Sequence, residues 1–403
     1  MGRYSLAEFI LFEVLHILVF FPTRHNLYRA VILALMIYLA AKIYITTEAT
    51  EPAGVVYAVG HTIALNFGFT AYLMCTEGSF PNHWRRFRDE IGAGADANGS
   101  GNLPSNFPFV KKFWWMLDIT HSSRMVGWVQ EPKDCLPPPP PPSRTTFLWN
   151  TLLKLITNFL LLDLLTYVFA QNPVFDPRVH DPTDSPETYL AAVPLFRRAP
   201  YVLAFGLWLA LFFKVLHNIA ALVFVGLGRS SPTLWPDIWG RWGDAFTLRK
   251  LWGCMLSGPG KLVANKILRF PRGTNLSSYT QLYVAFFLSA VFHFGGEFMY
   301  ERRMVYRSFK FFPLQAVAIT LEDFIIFIAK HLLLKRGIKL NPGNPDESWA
   351  EAVVRVVGYC WVTLWFCLTL PGYIDGASLA GNYTMDRLPI AQFLFDRWKP
   401  SWA

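Results

Sequence analysis

Gln281 to Met299 reads QLYVAFFLSAVFHFGGEFM, and nearly every side chain in it is apolar. A run of about 20 residues rising roughly 1.5 Å each matches a hydrocarbon core about 30 Å thick, so the stretch predicts a helix that crosses a bilayer. One histidine, His293, sits inside it. A charged group at membrane depth costs about 2.5 kcal/mol or more, so this imidazole is expected to be neutral and turned toward protein or water. A neutral imidazole is a competent general base; the other reading is a packing residue hydrogen-bonded across helices.

The rest of the chain carries the same signal. Of 403 residues, 53% are hydrophobic and 16% charged, a balance that sets aside a soluble multi-domain enzyme. It predicts an all-α polytopic membrane protein, with residues 1–403 forming a single integral membrane domain. The 15 Trp and 16 Tyr suit interfacial belts, and a formal net charge of +9 suits cytoplasmic loops that face anionic membrane lipids. That charge is spread over loops between apolar runs instead of forming one basic aromatic face, so no nucleic-acid partner is expected. The five cysteines, Cys75, Cys135, Cys254, Cys360 and Cys367, have no CxxC spacing, and neither a metal site nor a disulfide framework follows from them.

In chain order, apolar runs at Ser5 to Pro22, Tyr28 to Ile45 and Ala53 to Cys75 predict three antiparallel neighbours. His61, in the third, reads as a packing residue. Further runs at Phe147 to Ala170, Tyr201 to Leu227, Phe311 to Ala329 and Val353 to Leu370 bring the total to about eight transmembrane helices. Residues 76–146 form a basic loop with a Gly-rich patch and the prolines Pro137 to Pro142, which predict a stiff polyproline II spacer. Within it, Phe109 to Trp128 is basic and aromatic, as an interfacial helix would be. Residues 228–280 form a second basic loop. By the positive-inside rule both basic loops are cytoplasmic, and the acidic loop with Asp176, Asp181, Asp184 and Glu187 is lumenal.

Two basic loops and one buried histidine suggest a chemistry. Arg and Lys suit the phosphates of a donor such as coenzyme A. A histidine about midway across the membrane can meet a lipophilic alcohol and take its hydroxyl proton as the oxygen attacks a thioester. Desolvation would strengthen donors aimed at the developing oxyanion.

Three stretches, WMLDITHSSRMVGW (Trp115 to Trp128), DAFTLRKLWG (Asp244 to Gly253) and FLSAVFHFGGEF (Phe287 to Phe298), occur in this order. Together they resemble the fungal wax-synthase-like branch of the membrane-bound O-acyltransferases. The resemblance implies a multi-helix membrane fold with a tunnel, an acyl-CoA entering from the cytoplasm and an alcohol entering from the membrane. It implies that His293 is the catalytic histidine and that Leu248, Arg249, Leu251, Trp252 and Gly253 match the family's loop, with Arg249, Lys250, Trp252 and Gly253 as donor-binding candidates. Fungal relatives often acetylate terpenoid or meroterpenoid hydroxyls, so acetyl-CoA is the implied co-substrate and the endoplasmic reticulum the implied location.

One departure stands out. Where the family carries Trp-His-Gln shortly after the Trp-Gly, this chain has Leu256, Ser257 and Gly258. Ser257 can donate a hydrogen bond but cannot act as an acid or base near neutral pH. Two other readings therefore stay open. A membrane isomerase or cyclase would use His293 with Glu297, one helical turn away, as an acid. A solute or proton pathway would be lined by Lys214, His217, His293 and Glu297.

Overall fold

The structure is a computed structural model. It describes residues 6–21, 26–47, 53–75, 108–121, 126–128, 137–140, 143–175, 190–239, 242–253, 267–300, 307–335 and 348–379. Most of the first basic loop, the acidic loop from 176 to 189, and Ser257 lie outside them. Among the described residues the elements are helices, as an apolar chain must arrange its backbone when no water is at hand to satisfy it. The chain divides into two compact units, each assembled from two separate sequence segments.

The first unit comprises residues 1–135 and 256–305. It holds α1 (Leu6–Leu18), α2 (Asn26–Thr46), α3 (Ala53–Cys75), α4 (Phe109–Thr120) and α8 (Asn275–Tyr300). Its core is Phe12 of α1, Met36 and Ile43 of α2, Val56 and Ile63 of α3, and Trp115, Met116 and Ile119 of α4, with Met299 of α8 packed in. Polar ties join the same helices. Asn66 Nδ2 donates to Glu13 Oε1 at 2.9 Å, and Lys42 Nζ reaches Glu8 Oε1 at 2.5 Å.

The second unit comprises residues 136–255 and 306–403. It holds α5 (Arg144–Ala170), α6 (Ala199–Gly226), the short α7 (Leu248–Trp252), α9 (Arg307–Lys335), α10 (Ser348–Thr369) and α11 (Pro371–Leu379). α5 and α6 lie side by side, with Phe147, Ala221 and Val225 buried at one end and the Trp208 indole donating to Thr166 Oγ1 at 3.0 Å. Elsewhere in the unit, Asp375 of α11 accepts the backbone N–H groups of Leu190 and Ala191 at 2.8 and 3.1 Å.

Six helical stretches among the described residues are long and apolar enough to cross a membrane: Leu27–Thr46, Arg144–Ala170, Leu195–Gly226, Asn275–Met299, Arg307–Leu332 and Ala352–Thr369. Their outward faces carry large apolar side chains, such as Ile325 at 62% and Phe327 at 67% exposure, a surface suited to lipid. Two of the eight expected spans are not among these six stretches of described residues. α1 has 13 residues, too few at about 1.5 Å each to cross the hydrocarbon. α3 has the length, with 23 residues, but His61, Thr62, Asn66 and Thr70 dilute its apolar character. The interfacial reading of Phe109 to Trp128 condenses to α4, whose Trp115, Met116 and Ile119 are buried in the first unit while Phe109 and Val110 are exposed.

Candidate active site

His293 lies in the second half of α8, and the residues that follow it, Gly295 and Gly296, determine what can approach. A Cβ added at Gly295 would come within 2.7 Å of both Ala64 Cβ and Tyr44 Oη, and one at Gly296 within 2.8 Å of the Tyr57 ring. α3 thus packs directly on the backbone of α8, as small residues permit between membrane helices. Tyr44 Oη, donating to the Gly60 carbonyl at 2.7 Å, ties α2 to the same place.

The close approach puts α3 side chains beside His293. Tyr57 Oη lies 2.6 Å from His293 Nδ1, and the His61 ring centroid is 4.6 Å from that of His293. Tyr57 and His61, one turn apart on α3, stack nearly parallel, with centroids 6.2 Å apart and planes 9° apart. His61 Nδ1 is shielded from solvent and has no hydrogen-bond partner among the described residues. Sequence reasoning treated His61 as packing and passed over Tyr57. The signal available was an aromatic and an imidazole at i and i+4 on one apolar helix. Glu297, the candidate acid, follows His293 by one turn on α8 and is half-buried.

The donor-binding candidates belong to the second unit. α7 is only five residues long, and its ends are tightly held. Thr247 caps it, accepting Lys250 N–H at 3.1 Å. Glu322 of α9 accepts the N–H groups of Leu248 at 2.9 Å and Arg249 at 3.2 Å, and the Trp361 indole at 2.9 Å. A carboxylate at a helix start satisfies orphan donors and suits the local dipole. Asp323 takes the Arg249 guanidinium through Nε, 3.1 Å from both carboxylate oxygens, and through a terminal nitrogen at 2.5 Å. Lys250 Nζ stands 4.1 Å above the Phe246 ring. The Trp252 ring packs edge-on against Phe311 and Phe312 of α9 and tilted against Phe366 of α10, each at 6.2 Å. Gly253 ends the helix at φ +55°, ψ −134°, a conformation that glycine adopts without strain.

Of the other polar residues read from the sequence, Lys214 pairs with Asp237 at 3.8 Å. His217 lies 5.3 Å from the Trp235 ring, measured between centroids. Asp237 lies on the segment after α6. Glu322 and Asp323, two carboxylates within an apolar helix, hold α7.

Residues 235–314, which contain α7 and His293, match the family described as "Membrane bound O-acyl transferase family". Among curated proteins the chain is 29% identical to Acetyltransferase ple2 of Rhodocybe pseudopiperita over 359 residues, 86% of this chain and 84% of the relative. It is 31% identical to Acetyltransferase eriL of Hericium erinaceus over 287 residues, 67% of this chain and 68% of the relative. A third relative, Acetyltransferase aurG of Calcarisporium arbuscula, is 26% identical over 297 residues, 70% of this chain and 69% of its own length. No solved structure matches. A chain with membrane-length apolar helices, whose family-matched segment carries both α7 and His293, thus belongs to the membrane-bound O-acyltransferases and is an integral membrane acyltransferase.

Proposed function

We propose that the chain transfers an acetyl group from acetyl-CoA to a hydroxyl of a lipophilic secondary metabolite of terpenoid or meroterpenoid type, with His293 as general base. The observation that carries this reading is the His293 imidazole, seated on a membrane-length helix beside Tyr57 and His61, in a chain whose relatives are named acetyltransferases. In the reaction, the alcohol oxygen attacks the thioester carbonyl while His293 takes the hydroxyl proton. The carbon–sulfur bond then breaks, and the proton passes to the departing coenzyme A thiolate. Ser257 offers a hydrogen bond to the carbonyl oxygen. Arg249 and Lys250, both on the exposed side of α7, offer charge to the donor's phosphates from the cytoplasmic face of the endoplasmic reticulum.

Microsomes containing the full chain, labelled acetyl-CoA and a panel of terpenoid alcohols test this. Wild type is expected to place label in a lipophilic ester, and His293→Ala at matched protein level to lower the rate by roughly a hundredfold or more. No label with any alcohol, despite folded protein, would direct attention to the isomerase or cyclase chemistry that the missing Trp-His-Gln leaves open.

A further inference from the structure

We infer that Tyr57 is a positioning residue for His293: its phenolic oxygen accepts Nδ1–H, which leaves the Nε2 lone pair for the substrate proton. The inference rests on the base assignment made above for His293. Its geometric ground is the 2.6 Å separation of Tyr57 Oη and His293 Nδ1, made between two helices rather than within one.

A histidine has two neutral tautomers, and the partner of one nitrogen decides which is present. With Nδ1–H directed at an oxygen, Nε2 is unprotonated and basic. When Nε2 takes the alcohol proton, the resulting imidazolium keeps Nδ1–H directed at that oxygen, so the positive charge retains a hydrogen-bond acceptor. On return of the proton to the coenzyme A thiolate, the ring reverts to the same tautomer. No net proton stays on the protein.

The surroundings keep Tyr57 in place. Gly296 leaves the volume that the Tyr57 ring occupies, since a Cβ there would lie 2.8 Å from two ring atoms. His61 stacks near it, with ring centroids 6.2 Å and planes 9° apart. A phenol confined in this way holds the imidazole at one rotation, which proton transfer requires. The His-Phe-Gly-Gly sequence then has a single logic: the histidine does the chemistry, and the second glycine admits the tyrosine that orients it.

The test uses the full chain in microsomes with labelled acetyl-CoA and the alcohol panel, normalised to protein that elutes monodisperse in detergent. Tyr57→Phe removes one oxygen and keeps the ring, so folding is expected to be preserved. Its kcat should fall about tenfold to a hundredfold with KM for acetyl-CoA little changed, the range typical of a group that orients a reactive ligand. Tyr57→Phe combined with His293→Ala should be no slower than His293→Ala alone, because Tyr57 acts through the imidazole. An equal loss in both backgrounds would show a purely structural role and overturn the inference, as would wild-type kcat in Tyr57→Phe. Failure of the base assignment shows separately: His293→Ala would then keep wild-type activity whatever stands at position 57.

Discussion

The α3–α8 contact and the α7–α9 contact each place a family motif, and they do so by opposite means. The first works by removing side chains. Gly60 on α3 and Gly295 and Gly296 on α8 let two backbones meet, and the Tyr57 ring takes the room that Gly296 leaves, with its hydroxyl 2.6 Å from His293 Nδ1. The second works by adding charge. Glu322 and Asp323, adjacent on α9, receive two backbone N–H groups, an indole and a guanidinium, and so fix a helix too short to be stable alone. Backbone contact fixes position closely and tolerates little change, as suits the general base proposed for His293. Carboxylate capping fixes a segment through bonds that a near neighbour can partly replace.

Breaking the first contact should have the largest effect. Gly295→Leu puts a side chain where even a Cβ meets Ala64, Tyr44 and the Gly60 carbonyl at 2.7–2.8 Å, so the helices must separate. A loss of about 3 kcal/mol is expected from such overpacking, together with activity reduced at least as far as in His293→Ala. The control is Gly206→Leu on α6, where an added Cβ has no heavy atom within 4 Å. Melting of the detergent-solubilised proteins, followed with the acetyl-transfer assay, should separate the two by several degrees. Equal melting would mean that α3 and α8 do not need their glycines.

The second contact should break in graded fashion. Glu322→Ala removes the acceptor of the Leu248 and Arg249 N–H groups and the Trp361 indole, and stranding the buried Leu248 N–H alone costs about 1–3 kcal/mol. Glu322→Gln keeps one carbonyl oxygen and should lose about half as much. Activity should fall with stability in both, without the tautomer-specific kcat effect expected of Tyr57→Phe. A Glu322→Ala protein that melts like wild type would show that the Thr247 cap, the Arg249–Asp323 pair and the Trp252 ring contacts suffice to hold α7.

The sequence was informative where one side chain type dominates a long run. The expected helix at Gln281 to Met299 is the interior of Asn275–Tyr300, and the run Val353 to Leu370 lies almost entirely in Ser348–Thr369. Apolar length is a one-dimensional property, so it can be read along the chain. Tyr57 was not legible, because its significance comes from a residue 236 positions away. Glu322 and Asp323 were visible as odd residues in an apolar helix, but the donors they serve lie 73 and 74 positions earlier and 39 positions later. The Leu-Arg-x-x-Trp-Gly motif was found by resemblance. What the structure adds is that much of its Arg, Trp and Gly content secures α7: Arg249 on Asp323, Trp252 among three phenylalanines, and Gly253 at a positive φ.

The smallest effect, and the one that sharpens the comparison most, concerns Arg249. It is proposed to meet the donor's phosphates, yet its guanidinium is bidentate on Asp323 while remaining 44% exposed. Exposed ion pairs contribute about 0–1 kcal/mol, so Asp323→Asn should scarcely change melting. If Asp323 serves to aim Arg249 at a phosphate, Asp323→Asn should raise KM for acetyl-CoA severalfold, and Arg249→Ala should raise it about tenfold or more by removing a charge-assisted bond. Lys in place of Arg keeps the charge but loses the fork, so Arg249→Lys should fall between them. If the pair only secures α7, all three variants keep wild-type KM and shift melting slightly and together. KM against melting temperature for these three proteins therefore decides whether the charged contact is an anchor alone or an anchor that also presents its cation to the donor.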